Sequence, residues 1–305
     1  MVKNFQSCES CYPVRMFFEK SHTLFRPPAE ADSLIIRVAD GCPWNGCTFC
    51  GMYKGVLYKF QGLEKTERDF SNAWKQWPDA RRIFLADGDV MHLDFQTLEK
   101  ILLSLNEKFS RLARVSVYAN GNSILTKTDD ELRRLKELKL HTLYMGLESG
   151  DSETLKTVNK RETAEEMIEA GQRAQAAGLR MSVMILIGLA GERGSFQHSH
   201  ATADVLNRMQ PRLLSALRLV TTPNTPLYQN GFQMISEYGA IAELRELIHG
   251  LELETTVFRA DHSSNIVPLE GRFPKDKQRL LNQLDALLSS GQLDRTSPGR
   301  LPLSL

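Results

Sequence analysis

Across 305 residues, 38 Lys and Arg stand against 37 Asp and Glu, a formal net charge of +1. So even a balance argues against a polyanion-binding surface as the protein's main business while leaving room for a local patch, and 42% hydrophobic with 25% charged residues excludes a disordered, collagenous or disulfide-scaffold chain. The length suits one large α/β domain with a small appendage.

The first residues, MVKNFQSCESCYPVR, have no apolar run behind their charge and do not read as a signal peptide. The longest nearly unbroken apolar stretch, Met181 to Ala190, is far shorter than the roughly 20 residues needed to cross a bilayer. A cytoplasmic protein is expected. Cys8 and Cys11 form C-x2-C, open to three readings: incidental thiols, a redox pair or a hydrogen-atom donor.

Six segments rich in Val, Ile, Leu and Tyr are predicted strands: Ser33–Val38, Arg82–Ala86, Arg114–Tyr118, Thr142–Met145, Met181–Ile187 and Leu213–Val220. Helical periodicity lies between them at Phe95–Leu105, Asp129–Leu138, Thr163–Ala177 and Ala201–Met209. From the second strand onward, starts at 82, 114, 142, 181 and 213 keep the rhythm of βαβ units, hence a parallel sheet with right-handed crossovers. The first interval is longer, and the excess lies in a cysteine-rich loop after strand one. After Leu227 the rhythm stops: helix-like Ile235–His249, an extended FRADHSSNIVPLEGRFP and an amphipathic Lys275–Ser289 follow. The expected division is an N-terminal segment 1–32, a partial barrel 33–227 and an α-rich extension 228–305 closing it.

The strand ends carry the chemistry. Strand one runs into ADGCPWNGCTFC, two into ADGDV, three into ANGNS, four into GLESG, five into GLAGE and six into TTPNTP. In a parallel sheet these ends open on one face, which gathers three thiols, the carboxylates Asp87, Asp89 and Glu148, amides and glycines around one mouth. Taken singly, Gly, Asn, Asp and Ser are also plain turn formers. Cysteine is not. Cys42, Cys47 and Cys50 form C-x4-C-x2-C, and three clustered cysteines suit a four-iron, four-sulfur cluster with one iron left open. Zinc or simple reactive thiols are the alternatives, but zinc would want a fourth ligand, with His22 and His92 the nearest histidines.

With this loop at the head of a βα array, the chain resembles the radical S-adenosylmethionine (radical SAM) superfamily over roughly 33–227. GLESG at Gly146–Gly150 and GLAGE at Gly188–Glu192 are similar to its coproporphyrinogen-oxidase-like and Elongator-type branch. The resemblance implies a partial (βα)6 TIM-like barrel, a 4Fe-4S cluster on Cys42, Cys47 and Cys50, and S-adenosylmethionine cleaved reductively to a 5′-deoxyadenosyl radical that abstracts hydrogen from substrate. Its usual spacing is C-x3-C-x2-C, and a bend at Pro43 and Gly46 is expected to absorb the extra residue.

Further residues follow from the resemblance. Phe49 corresponds to the aromatic residue packed near adenine. Asp87-Gly88-Asp89 holds the place of the turn that receives the methionine ammonium, which needs acceptors and not one particular acid. Glu148 resembles the carboxylate at the cofactor's ribose or amino end, although an acid near a helix N-terminus is favourable without any ligand. Asn120, beside Gly121, reads as cofactor contact or turn. Gly188 would let adenine approach the backbone. Arg218 and Thr221 would meet the cofactor carboxylate or the substrate. With only Cys8 and Cys11 outside the loop, an all-thiolate auxiliary cluster lacks ligands, which disfavours the peptide-maturase and methylthiotransferase branches.

The partners expected are a small-molecule substrate and an external one-electron reductant, flavodoxin- or ferredoxin-like. A tRNA substrate is the runner-up: the basic cluster Arg133, Arg134, Lys136 and Lys139 reads first as a solvated helix face. A non-catalytic iron–sulfur carrier or sensor is the other class; it would coordinate all four irons and need no acidic turn. Last, FRADHSSN gathers hydrogen-bonding groups and is expected either to fold back over the mouth, bringing His262 and Asn265 to substrate, or to be a solvated connection.

Overall fold

A computed structural model describes residues 16–17 and 24–302. The N-terminal half contributes β1 (Met16–Phe17), β2 (Leu34–Arg37), β3 (Ala39–Asp40), β4 (Lys59–Phe60), α1 (Leu63–Gln76), β5 (Arg82–Ala86), α2 (Phe95–Lys108), β6 (Arg114–Tyr118), α3 (Gly121–Leu125), α4 (Asp129–Glu137) and β7 (Leu140–Glu148). There follow α5 (Ser152–Thr157), α6 (Ala164–Ala176), β8 (Arg180–Ile187), α7 (Gly191–Met209), β9 (Leu213–Arg218), α8 (Pro226–Gln229), α9 (Glu237–Gly250), β10 (Val257–Ala260), β11 (Leu269–Arg272) and α10 (Lys277–Ser289).

Among the described residues one sheet runs in the order β1-β2-β5-β6-β7-β8-β9-β10-β11, parallel throughout except for the β10–β11 pair. Its two edges, β1 and β11, do not meet, so the architecture is an open partial barrel. The six expected strands are its middle, with one further parallel strand on either side.

Parallel strands covered by helices bury both faces, which is why these segments read as continuous apolar runs. Leu34, Ile36, Ile83, Leu85, Val115, Val117, Leu143, Met145, Val183 and Ile185 join the main core with the helices. The alternate residues Ile35, Phe84, Ala86 and Tyr144 form a separate cluster on the opposite face, with Tyr118 and Met184 against it. Helix starts follow local chemistry: Thr128 with Glu131, and Thr163 with Glu166, are capping boxes that open α4 and α6.

Three elements differ from expectation. Predicted strand one breaks after Arg37, and Ala39–Asp40 pairs antiparallel with Lys59–Phe60, so the cysteine loop is pinched shut at its base. Helix α1 lies in what read as loop, because only Thr66, Phe70 and Ala73 of LEKTERDFSNAWKQ are buried and its apolar stripe is thin. Helix α7 starts ten residues earlier than its periodicity indicates, since its first turns bury His198 and Ser199 rather than aliphatic side chains.

Candidate active site

The loop from Gly41 to Tyr58 is fastened from three sides. Asn45, at φ 45°, makes the bend that accommodates the long cysteine spacing, and its amide donates to the carbonyl of Tyr53 at 2.7 Å. Gly46 sits under the Trp44 ring, where a Cβ would come within 2.9 Å of it. The indole N–H of Trp44 donates to the Asn159 carbonyl at 2.9 Å, the Asn159 amide returns a bond to the Gly46 carbonyl, and the Thr48 N–H reaches the Val158 carbonyl. From the turn after β9, Asn224 donates to the Gly51 carbonyl and the Leu227 N–H to the Thr48 carbonyl. Phe49 packs into an apolar cluster with Val158, Leu189, Leu219 and Leu227.

Cys42, Cys47 and Cys50 are unpaired, half-buried thiols. Burial pushes Cys47 up to about 12, opposed by Lys160, and pushes Cys50 up as well. Burial also works against the charge of Lys160, yet Glu148, Glu162 and the cysteines outweigh it and raise that ammonium's pKa; its Nζ lies 3.7 Å from Glu162. Lys160 was invisible in the sequence, where NKRET looks like any solvated charge run. Among the described residues no three His, Cys, Asp or Glu side chains converge as a single metal ion requires. A cubane, whose thiolates each bind a different iron, does not ask for that convergence.

The ADGDV turn lies directly on this loop, because a Cβ on Gly88 would stand 2.6 Å from the Gly41 carbonyl oxygen and 3.1 Å from the Cys42 Cα. Its two acids diverge in role. Asp87 accepts from the Tyr53 hydroxyl at 2.6 Å and lies 3.5 Å from Arg37 Nε, a brace between strand and loop. Asp89 Oδ2 accepts from Ser123 at 2.6 Å and from Asn120 at 3.0 Å, while its Oδ1 is buried without a partner. Burial, against those hydrogen bonds, pushes Asp89 up to about 7. The Tyr58 hydroxyl is likewise buried and unpartnered. An orphaned acceptor beside a three-thiol loop fits an amino-bearing ligand of a cluster bound there.

Glu148 closes β7 at φ 64°, in a bulge where its carboxylate folds over Gly146, a position that leaves no room for a Cβ. Burial raises its pKa and Lys160 opposes the rise.

The other candidates are engaged with different parts of the chain. Arg218 pairs in register with Ile187 of the helix-facing layer, and its guanidinium donates to the carbonyls of Ser264 (2.9 Å), Pro298 (2.7 Å) and Arg300 (3.4 Å). These bonds hold the C-terminal segment against β9. Gly188, at φ 85°, is covered by Ile235, which a Cβ would approach to 2.9 Å, so its close approach is to the chain itself. Thr221 lies half-buried in the turn that buttresses the cysteine loop. FRA forms β10 on the edge of β9, satisfying edge backbone groups rather than crossing the mouth. His262 Nδ1 bonds within its own turn to Ser264, and Asn265 donates to the Ala216 carbonyl of β9. Cys8 and Cys11 fall outside the described residues.

Removing the Arg218 anchor is expected to cost stability and spare the cofactor. Arg218→Ala should lower unfolding free energy by about 2–3 kcal/mol in denaturant titrations, with S-adenosylmethionine affinity unchanged; a selective loss of affinity would restore the cofactor role.

A family model described as the radical SAM superfamily matches residues 36–195, more than half of the chain. The chain belongs to the radical SAM superfamily. Members use a 4Fe-4S cluster and S-adenosylmethionine, and membership brings both cofactors with it. In fold the chain is similar to coproporphyrinogen III oxidase from Escherichia coli, described as a radical SAM enzyme (TM-score 0.53, 16% identity, 71% of this chain and 51% of that one). It is also similar to methylornithine synthase (TM-score 0.51, 15% identity, 83% and 80%). In sequence it is 26% identical over 204 residues to a Pyrococcus horikoshii protein named probable threonylcarbamoyladenosine tRNA methylthiotransferase, covering 63% of this chain and 45% of the relative. The chain thus spans less than half the length of the curated relatives it matches. Among the described residues no helix is long and apolar enough to cross a membrane.

Proposed function

We propose that this chain is a radical SAM enzyme acting on a small molecule bound on the sheet face opposite the helices, with Cys42, Cys47 and Cys50 holding the cluster. When bound, the cluster and S-adenosylmethionine supply a 5′-deoxyadenosyl radical able to abstract hydrogen. The chain's part is to hold and orient. The cysteine loop is clamped at Thr48 and Gly51, Asp89 offers its free oxygen to the methionine amino end, and Glu148 with Lys160 sets the charge beside the thiols. An external one-electron reductant is required.

The lining of that face carries the proposal for substrate. Phe84, Tyr118 and Tyr144 meet edge to face at centroid distances of 5.2–6.2 Å, flanked by Met184 and by Ser116 and Ser182 of the same register set. Phe84, Tyr144, Ser116 and Ser182 are buried there while Tyr118 and Met184 are half-buried, and a cluster of this composition favours a partly apolar or aromatic small molecule against its exposed side. The name of the Pyrococcus relative supports a tRNA substrate instead, but Arg133 and Arg134 are engaged with Asp130, Glu99 and Glu137, which leaves that cluster poorly suited to phosphates. Incubating reconstituted protein with deuterated cell extract split into small-molecule and RNA fractions tests the choice. Deuterium should enter 5′-deoxyadenosine from the small-molecule fraction; transfer from the RNA fraction alone would overturn the assignment.

A further inference from the structure

Behind the mouth lies a chain of buried polar groups that none of the above uses. Ser149, His198 and Glu243 are 0%, 1% and 2% exposed. Ser149 Oγ lies 2.7 Å from His198 Nδ1, and His198 Nε2 lies 3.4 Å from Glu243 Oε1. The same Glu243 oxygen accepts the Gly188 N–H at 2.6 Å, and Oε2 accepts the Ser195 hydroxyl at 2.5 Å. Burial keeps His198 neutral at ordinary pH by lowering it to about 4. The His198 ring also bonds the Leu186 backbone, so it is held between that strand and the Ser149 hydroxyl.

The order Ser, His, acid matches that of nucleophilic triads. Here the serine is sealed from solvent and already accepts the Asp151 N–H at 2.9 Å, so it is no nucleophile. What it adjoins is Glu148. A non-glycine residue at φ 64° is strained and persists only where its surroundings over-determine it. The next residue supplies that constraint: the Ser149 N–H is bonded to the Leu147 carbonyl at 2.8 Å, and its side chain bonds His198, whose Nε2 packs 3.4 Å from Glu243. The tie starts in α9, crosses α7 and ends at the turn after β7. Glu243 also fixes Gly188 in the turn after β8.

We infer that His198 and Glu243 are positioning residues, which hold Glu148 in its strained conformation beside Lys160 and the cysteine loop and thereby act on S-adenosylmethionine binding from α7 and α9. The inference rests on the proposed cofactor role of Glu148. A purely structural network would lower stability without acting through that carboxylate.

A double-mutant cycle separates the two. The anaerobically reconstituted protein with its cluster oxidised, so that no turnover occurs, is titrated with S-adenosylmethionine by equilibrium dialysis as wild type, Glu148→Gln, Glu243→Gln and the double variant. Each single substitution is expected to weaken binding about tenfold, the scale of one lost charge-assisted hydrogen bond, and the double variant no more than Glu148→Gln alone. Multiplying losses of about a hundredfold, or unaltered affinity in Glu243→Gln, would overturn the inference. If Glu243→Gln does not fold, His198→Gln takes its place in the same cycle. Unaltered affinity in Glu148→Gln would sink the role assigned to Glu148 and the brace with it, whereas a weakened Glu148→Gln beside an unaffected Glu243→Gln would sink the brace alone.

Discussion

Replacing any one of Cys42, Cys47 and Cys50 with Ala is expected to abolish the broad visible absorption near about 400 nm that an iron–sulfur cluster shows, and with it all cofactor cleavage. The three thiols sit on one loop whose base is pinched by the β3–β4 pair and whose middle is bonded to the turns after α5 and β9. Each variant should therefore keep its fold, and loss of colour reports loss of a ligand rather than collapse. Two thiolates cannot hold three irons while one is left open. Iron content by colorimetric assay, beside the melting temperature, checks this: a Cys47→Ala protein with full iron and full cleavage would mean that another side chain supplies the third ligand.

Asp89→Asn is expected to weaken S-adenosylmethionine binding by about ten- to a hundredfold with cluster content unchanged, since a hydrogen bond to a charged group is worth roughly 1.5–3 kcal/mol. The same substitution should stabilise the cofactor-free protein. Burial raises the Asp89 carboxyl from an ordinary 3.8 to about 7, so between those values the folded protein holds a proton that the unfolded chain has released. Stability therefore falls as pH rises through that window, by an amount on the order of a few kcal/mol, and the amide variant escapes the loss. Denaturant unfolding at pH 5 and pH 8 should give curves that separate modestly at pH 5 and more widely at pH 8, with the variant more stable. Cofactor affinity of the wild type should rise over the same range as the carboxylate forms. Opposite signs for stability and binding mark a group retained for a ligand; a variant less stable at pH 8, with affinity intact, would make the turn purely structural.

The βα rhythm, the six central strands and the cysteine loop were legible because each rests on a periodic or chemically distinctive signal. What was not legible depends on partners distant in the chain. Asp87 and Asp89 are two residues apart and indistinguishable as letters, yet Tyr53 and Arg37 occupy one, while Ser123 and Asn120 take half of the other. Arg218 at a strand end read as a ligand-binding cation, and its alternation with Leu217 instead turns it to the helical layer, where three carbonyls of the C-terminal segment take its donors. FRADHSSN, crowded with polar groups, reads equally as a cover for the mouth or a solvated connection; the buried Phe258 and exposed Arg259 are the period-2 signature of an edge strand, too short to register alone. Glu243 and His198 carried no sequence signal at all, since a helix that buries a polar residue against another buried polar residue has no periodicity to betray it.

The most direct measurement is chromatographic. Anaerobically reconstituted protein, given S-adenosylmethionine and dithionite, should release 5′-deoxyadenosine and methionine in equal amounts, and the Cys47→Ala variant under identical conditions should release neither. A wild-type protein that carries its cluster, binds S-adenosylmethionine and yields no 5′-deoxyadenosine would contradict the assignment of a radical SAM enzyme and return the chain to the class of non-catalytic iron–sulfur proteins.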